Sequence, residues 1–239
     1  MLEHLSTATS AGALVMDWSS AVAGIICAFL PGQAQGHALA SLLYGTVNPS
    51  GRLPVTMPNR ENEMGMSLEQ YPGIAYSSGL QTNYSEALEV GYRWYMAHQD
   101  TNPAFLFGSG LSYTTFTYSE LIVFRNTSSH DWVVETTVTN TGGRSGAEVA
   151  QMYMAFPVAA KEPPLQLRGF EKVFLESGSS CNVQFVLNQR ALSIWDDSTQ
   201  QKDGWLQQFG EFKVAVGGSL GNLVQQARFT HSQLSKAKM

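Results

Sequence analysis

Two textures of apolar patterning divide this chain. Up to about residue 107 apolar residues come in runs or at helical spacing, and from about residue 111 they alternate with polar ones. Residues 21–30 (AVAGIICAFL) form an unbroken apolar run, which suits a strand buried on both faces of a parallel sheet. Pro31 and Gly32 end it. From about Gln33, the residues Ala34, Ala38, Leu39, Leu42 and Leu43 recur at helical spacing, and Gly45 stands where a left-handed C-terminal cap belongs. A loop of Asn48, Pro49, Ser50, Gly51, Arg52, Leu53 and Pro54 follows. Pro49 fixes its own φ and biases Asn48 towards an extended backbone, while Gly51 permits a positive φ, so the loop is stiff and shaped. Strand, helix and rigid loop together read as the tail of an α/β layer.

Residues 59–83 show no sustained period and read as a long loop, which is uncommon unless functional or supported from elsewhere. Residues 84–103 are rich in aromatics, and residues 105–113 (FLFGSGLSY) set apolar side chains around two glycines, as a junction would. Beyond it the expected strands are residues 115–124, 132–139, 148–156, 166–174, 181–187, 211–216 and 224–230. Trp132, Val134, Thr136 and Val138 share one face, as do Val183, Phe185 and Leu187, and Phe212, Val214 and Val216. Residues 140–143 (NTGG) and 176–179 (ESGS) supply turns, and residues 217–221 (GGSLG) a hairpin turn. Short strands at this spacing indicate a β-sandwich of immunoglobulin or fibronectin type III kind. The expected fold class is α/β plus all-β: residues 1–107 as the truncated end of an α/β sandwich domain, residues 108–231 as a fibronectin type III-like β-sandwich, and residues 232–239 as a tail.

Composition narrows the function. The 239 residues are 44% hydrophobic, enough for a real core, and only 14% charged. A net charge of −5 with no basic cluster argues against nucleic acid as a partner. No run approaches the roughly 20 apolar residues that a membrane span needs. The N-terminus carries Glu3 and Asp17 without a basic region and does not read as a signal peptide. Cys27 and Cys181 fall in separate apolar runs and read as buried free thiols without metal-ligand spacing.

Hydrolytic chemistry needs a nucleophile, a base or a carboxylate pair. His4, His37, His98, His130 and His231 are scattered, there is no GxSxG or HExxH, and no cofactor or metal is implied. Glu86 and Glu89 flank the aromatic residues Tyr84, Tyr92, Trp94 and Tyr95, a grouping that sugar sites use. The plainer reading pairs these acids with Arg93 or with water, since a retaining glycosidase needs two carboxyl groups held roughly 5 to 5.5 Å apart. Arg52 can hold a carboxylate by two parallel hydrogen bonds, as an interdomain clamp rather than a substrate ligand. Two sequons, at Asn83 and Asn126, fit a secreted protein.

Taken in order, Met16-Asp17-Trp18, residues 31–58 (PGQAQGHALASLLYGTVNPSGRLPVTMP), YSEALEVGYRWY, FLFGSGLSYTTFTYS, VTNTGGRSGAEVAQMYM, LRGFEKVFLESG and FGEFKVAVGGS resemble the C-terminal part of glycoside hydrolase family 3. The likeness is to its β-glucosidases and β-xylosidases with a fibronectin type III-like domain, and it covers essentially the whole chain. The resemblance implies a retaining hydrolase acting on a β-linked oligosaccharide or glycoside, extracellular, with a barrel supplying an aspartate nucleophile and an α/β sandwich supplying a glutamate acid/base. Both positions are expected upstream of Met1, so no catalytic residue is carried over. The matched motifs are structural: Asn48 to Pro54, then Gly91, Tyr92, Arg93, Trp94 and Tyr95, then Phe107, Gly108, Gly110, Leu111 and Tyr113. Three functions follow: an enzyme part inactive without its barrel, a non-catalytic carbohydrate-binding or protein-interaction module, and an autonomous hydrolase using Glu86 or Glu89. Truncation also predicts poor solubility for residues 1–100 alone and independent folding for about residues 108–231.

Overall fold

A computed structural model describes residues 5–197 and 204–233, which leaves His4, Glu3 and most of the expected tail outside the described residues. The chain divides into two units, Met1–Val47 with Leu53–Ser109, and Asn48–Arg52 with Gly110–Met239.

The first unit is a sparse α/β assembly. Strands β1 (Leu5–Ala8) and β2 (Gly24–Cys27) pair in parallel, with Leu5 opposite Gly24 and Ala8 opposite Cys27. The apolar run over 21–30 thus yields a much shorter strand than expected. A 3₁₀ turn at Ser19–Ala21 precedes it, and Phe29 adopts a φ of 50° that breaks the extended path. All four β2 residues are half-buried rather than buried, because the parallel pair has a strand on one side only. Apolar character reported what the segment needs, not how far it extends.

Helix α1 (Gln35–Leu43) begins two residues after the expected point, behind a 3₁₀ turn at Gly32–Ala34. It ends on Gly45, whose φ of 70° and N–H to the Leu42 carbonyl (3.0 Å) form the expected left-handed cap. None of its residues is buried. Residues 59–83 are not the structureless loop expected, because a hairpin forms from β3 (Ile74–Tyr76) and β4 (Gly79–Gln81), with Gly79 turning at φ 120°. Helix α2 (Tyr92–Ala97) follows. Met16, Met57 and Tyr95 are the buried apolar side chains of this unit among the described residues.

The second unit is a two-sheet sandwich. One sheet contains β5 (Phe116–Tyr118), β6 (Ile122–Arg125), β7 (Trp132–Asn140) and β10 (Ser180–Leu187). The other runs in the order β14 (Asn222–His231), β13 (Gly210–Ser219), β8 (Gly146–Ala155), β9 (Gln166–Leu175), all antiparallel. The single strand expected over 115–124 is broken in two. Ser119 Oγ accepts from the Thr137 N–H (2.9 Å) where the ladder lapses, and Leu121 turns inward to 8% exposure. A further hairpin, β11 (Ser193–Trp195) with β12 (Trp205–Gln207), carried no alternation long enough to predict.

The alternating faces read from the sequence meet in the core. Val134, Val138, Phe212 and Val216 have no exposure, and Val183, Phe185, Leu187 and Val214 have almost none. Phe212 lies flat on Phe229, and Phe229 against Trp132. Burying such side chains contributes about 1.5 to 3 kcal/mol each before entropy is counted. The turn residue Asn140 is fully buried. Its Oδ1 accepts from Thr114 Oγ1 (2.7 Å), and its Nδ2 donates to the Arg144 and Leu175 carbonyls (2.7 and 3.0 Å).

Candidate functional site

The expected loop motif divides between the units after Arg52. In the second unit, Asn48 Oδ1 accepts from the Tyr113 N–H (2.8 Å), and its amide meets Ser112 Oγ (3.0 Å). Gly146 lies so close over the Asn48 amide that no Cβ would fit. Pro49 and Ser50 are half-buried, and Gly51 does not use the positive φ its identity permits. Gly110 is where glycine is required, since a Cβ there would overlap the Gly51 carbonyl. In the first unit, the Leu53 N–H donates to the Ser109 carbonyl (2.9 Å) and the Gly108 N–H to the Leu53 carbonyl (2.8 Å), with exposed Pro54 next in the chain. Gly108 adopts φ 78°, Leu111 is 84% exposed, and Tyr113 lies under the Arg144 guanidinium.

Arg52 grips a carboxylate, but not by two parallel bonds. Its Nη2 donates to Glu148 Oε2 (2.5 Å) and its Nη1 to the Gly110 carbonyl (2.5 Å), so the fork divides between an acid and the backbone. Glu148 is buried, and Tyr118 Oη donates to its other oxygen (2.8 Å). Burial, then the Glu148 charge, pushes the Tyr118 phenol well above its ordinary range, so it stays a donor. A Cβ on Gly218 would come 2.5 Å from Glu148 Oε1, which holds that strand to glycine. The pair is desolvated, with both Nη groups of Arg52 engaged and its buried Nε without a partner among the described residues, and it sits wholly within the second unit. It is a structural clamp of the sandwich.

In the aromatic segment, Gly91 turns at φ 59° into α2. Tyr92 stacks on Phe107 (4.6 Å), Trp94 on His98 (4.2 Å), and Tyr95 meets Trp94 edge-on (5.1 Å). The Arg93 N–H caps back to the Val90 carbonyl (3.3 Å). Neither acid pairs with Arg93, as the plainer reading had it. Glu86 accepts from Gln70 Nε2 (3.2 Å), and Glu89 lies 3.7 Å from His98 Nδ1. Neither reaches the other in a shared network, and each is half-buried and singly paired, as a surface acid is.

Two carboxylates that patterning did not single out are better held. Tyr95 Oη donates to Glu63 Oε2 (2.8 Å), and the Asn59 N–H and Nδ2 donate to the same carboxylate (3.3 and 2.9 Å). Burial pushes Glu63 upward, but the Asn59 and Tyr95 hydrogen bonds outweigh it and hold the carboxyl below its usual range. Residue 63 lies in a polar stretch with no signal of this. Glu148 did carry one, since it shares the inward parity of Ala150, Met152 and Met154 and so needed a buried partner. Cys27 and Cys181 are free and half-buried rather than buried, and burial raises the Cys27 thiol, which keeps it inert. Among the described residues no trio of His, Cys, Asp or Glu is placed to hold a metal ion, and no helix is long and apolar enough to cross a membrane.

Comparison with known proteins decides the family. The glycosyl hydrolase family 3 C-terminal domain matches residues 5–113, and the fibronectin type III-like domain matches residues 148–220. The chain belongs to glycosyl hydrolase family 3, whose C-terminal region it carries. A probable β-glucosidase D from Aspergillus niger is 39% identical over 227 residues, which is 87% of this chain and 28% of that protein. Among solved structures, the β-glucosidase DesR from Streptomyces venezuelae, in complex with D-glucose, superposes with a TM-score of 0.87 at 33% identity. It covers 96% of this chain, and this chain covers 29% of it. The β-D-glucoside glucohydrolase of Trichoderma reesei gives a TM-score of 0.82 at 31% identity, with 96% and 34% covered. The family 3 chain therefore spans about a third or less of the length of the relatives it matches.

Proposed function

We propose that this chain is the non-catalytic C-terminal part of a β-glucosidase-type hydrolase, whose two catalytic carboxylates come from sequence outside it. The observation that carries this reading is the unfinished state of the first unit. A parallel pair with one neighbour each, a helix with no buried residue, and Leu30, Tyr44, Leu68 and Tyr84 at 77%, 88%, 74% and 76% exposure are an α/β layer without its other half. The covering half is the preceding part of the same sandwich domain, with the barrel before it. In the whole protein the partner is a β-linked glucoside, hydrolysed with retention through a covalent glycosyl intermediate. The whole protein works outside the cell, a reading supported by the family resemblance and by the sequons at Asn83 and Asn126. The loop of Asn48 to Arg52, tied to Tyr113 and Glu148, serves as a fixed brace of the sandwich.

The test has two arms. The 239-residue chain alone should release no nitrophenol from aryl β-glucosides. A chimera in which it replaces the matching C-terminal segment of the Aspergillus niger relative should release it. Turnover by the chain alone, abolished by Glu63→Gln, Glu86→Gln or Glu89→Gln, would overturn the reading.

A further inference from the structure

The geometry points to a second, non-catalytic site on the sandwich, a cavity that takes the neutral hydroxyl groups of a single sugar ring. It lies where the loop after β6 meets the ends of β10 and β14, and its volume is about 230 Å³. Leu187 and Leu192, at 1% and 2% exposure, back it from the core, so the surface it presents is mostly polar. Its rim is made of side chains that bear paired donors or acceptors. Arg125 spends only Nε, on the His130 carbonyl (3.1 Å), and its two Nη groups have no partner among the described residues. The half-buried Asp131 carboxylate has neither a hydrogen bond nor an ion pair among the described residues, and Gln189 likewise keeps its amide free.

The remaining wall is set by a buried histidine. Trp132 Nε1 donates to His231 Nδ1 (3.2 Å), so the neutral ring carries its proton on Nε2. Nε2 stands 2.8 Å from the Gln207 side-chain amide, which satisfies it by presenting oxygen there, the two amide ends being interchangeable by a flip. The other end of that amide is then a free donor. Phe209 stacks on His231 and fixes the ring.

Two features select a neutral polyol. Arg125 and Asp131 both line the cavity yet are not within ion-pair distance of each other, so each is open to a partner that enters the cavity. Their charges cancel, which removes the reason for an anion or a cation to settle there. A ring hydroxyl both donates and accepts, and neighbouring hydroxyls match the forked ends of a guanidinium, a carboxylate and an amide. The site is also preorganised. Asn126 Oδ1 accepts from the Ser128 and Ser129 N–H groups (2.9 and 3.1 Å), the Asn126 N–H donates to the Asp131 carbonyl (2.8 Å), and the Asp131 N–H to Ser129 Oγ (3.3 Å). These bonds hold the loop backbone at Asp131 in place before any ligand arrives, so binding orders side chains but not the loop. The site stands on this cavity alone and does not depend on the catalytic reading.

The experiment is calorimetric titration of the full chain with methyl β-D-glucoside, which is neutral, and separately with inorganic phosphate. Saturable millimolar binding of the glucoside is expected, about tenfold weaker in Asp131→Ala, the loss of one hydrogen bond to a charged group. Gln189→Ala, at an exposed side chain without a partner, should weaken it as well while leaving the thermal midpoint unchanged. Absence of saturable glucoside binding would overturn the proposal. So would glucoside binding unaffected by both substitutions, or phosphate binding that Asp131→Ala strengthens and the glucoside cannot displace.

Discussion

The sandwich and the α/β unit differ most in what becomes of their apolar side chains. In the sandwich, Val134, Val138, Met152, Phe212 and Val216 are sealed from solvent, and both sheets contribute to one continuous core. In the α/β unit, Met16, Met57 and Tyr95 are buried while Leu30, Tyr44 and Leu68 stand open. The difference lies in sheet type. An antiparallel sandwich closes on itself through hairpins within one stretch of chain. A parallel layer must be flanked by further strands and covered on both faces, and among the described residues β1 and β2 pair with each other alone. One unit is therefore self-sufficient, and the other is one side of an interface.

Separating the units is the largest perturbation of that contrast. Residues 48–52 joined through a short Gly-Ser linker to residues 110–233, which keeps Arg52 with Glu148, should unfold in a single cooperative urea transition, and residues 5–109 alone should show none. A cooperative transition in the α/β fragment would remove the contrast. Next in size are substitutions in the sandwich core and its buried ion pair. Phe212→Ala should cost about 3 to 5 kcal/mol, read from the urea midpoint of the whole chain. Arg52→Ala should cost a comparable ~3 to 5 kcal/mol because it strands Glu148 in a desolvated site, and adding Glu148→Gln should restore part of the loss. If Arg52→Ala proves neutral, the clamp is not holding the sandwich. By contrast Leu30→Ala and Tyr44→Ala in the chain as it stands should each change stability by less than about 0.5 kcal/mol, since neither side chain is covered.

The smallest effect is a pH dependence confined to the sandwich. Burial, and then the charge of Arg125, lowers the pKa of His231 below that of an unfolded histidine. As pH falls, the unfolded chain takes up this proton first. The stability contributed by the neutral ring is therefore complete above about pH 6.5 and is lost as pH falls through the window beneath it. The urea midpoint of the sandwich should drop between about pH 7 and about pH 5, and less so in His231→Gln. An unchanged midpoint would show that the Trp132 and Gln207 bonds do not hold the ring neutral.

The sequence made the sandwich legible because alternation is local. Trp132 to Val138 and Phe212 to Val216 state which face is inward without knowledge of any partner strand. Where a strand is broken by a side chain that replaces a ladder bond, as at Ser119, parity alone could not show it. The α/β unit was legible in order but not in extent. The run over 21–30 named a buried strand, yet its length and burial depend on neighbours that patterning within this segment does not contain. Among site residues, Arg52 stands out by its bracketing prolines and Glu148 by its inward parity, but they lie ninety-six positions apart, and no local pattern joins the two. The Arg125 and Asp131 cavity was missed for the same reason: its parts come from a loop, two strand ends and a hairpin.

Amide hydrogen exchange on the intact chain tests the central claim most directly, because it reports both units in one sample. The account predicts slow exchange across β7 and β13, and exchange close to the unprotected rate across β2 and α1, since among the described residues neither contains a buried side chain. Equal, slow exchange in β2, α1, β7 and β13 would contradict it, for the α/β unit would then hold its own core.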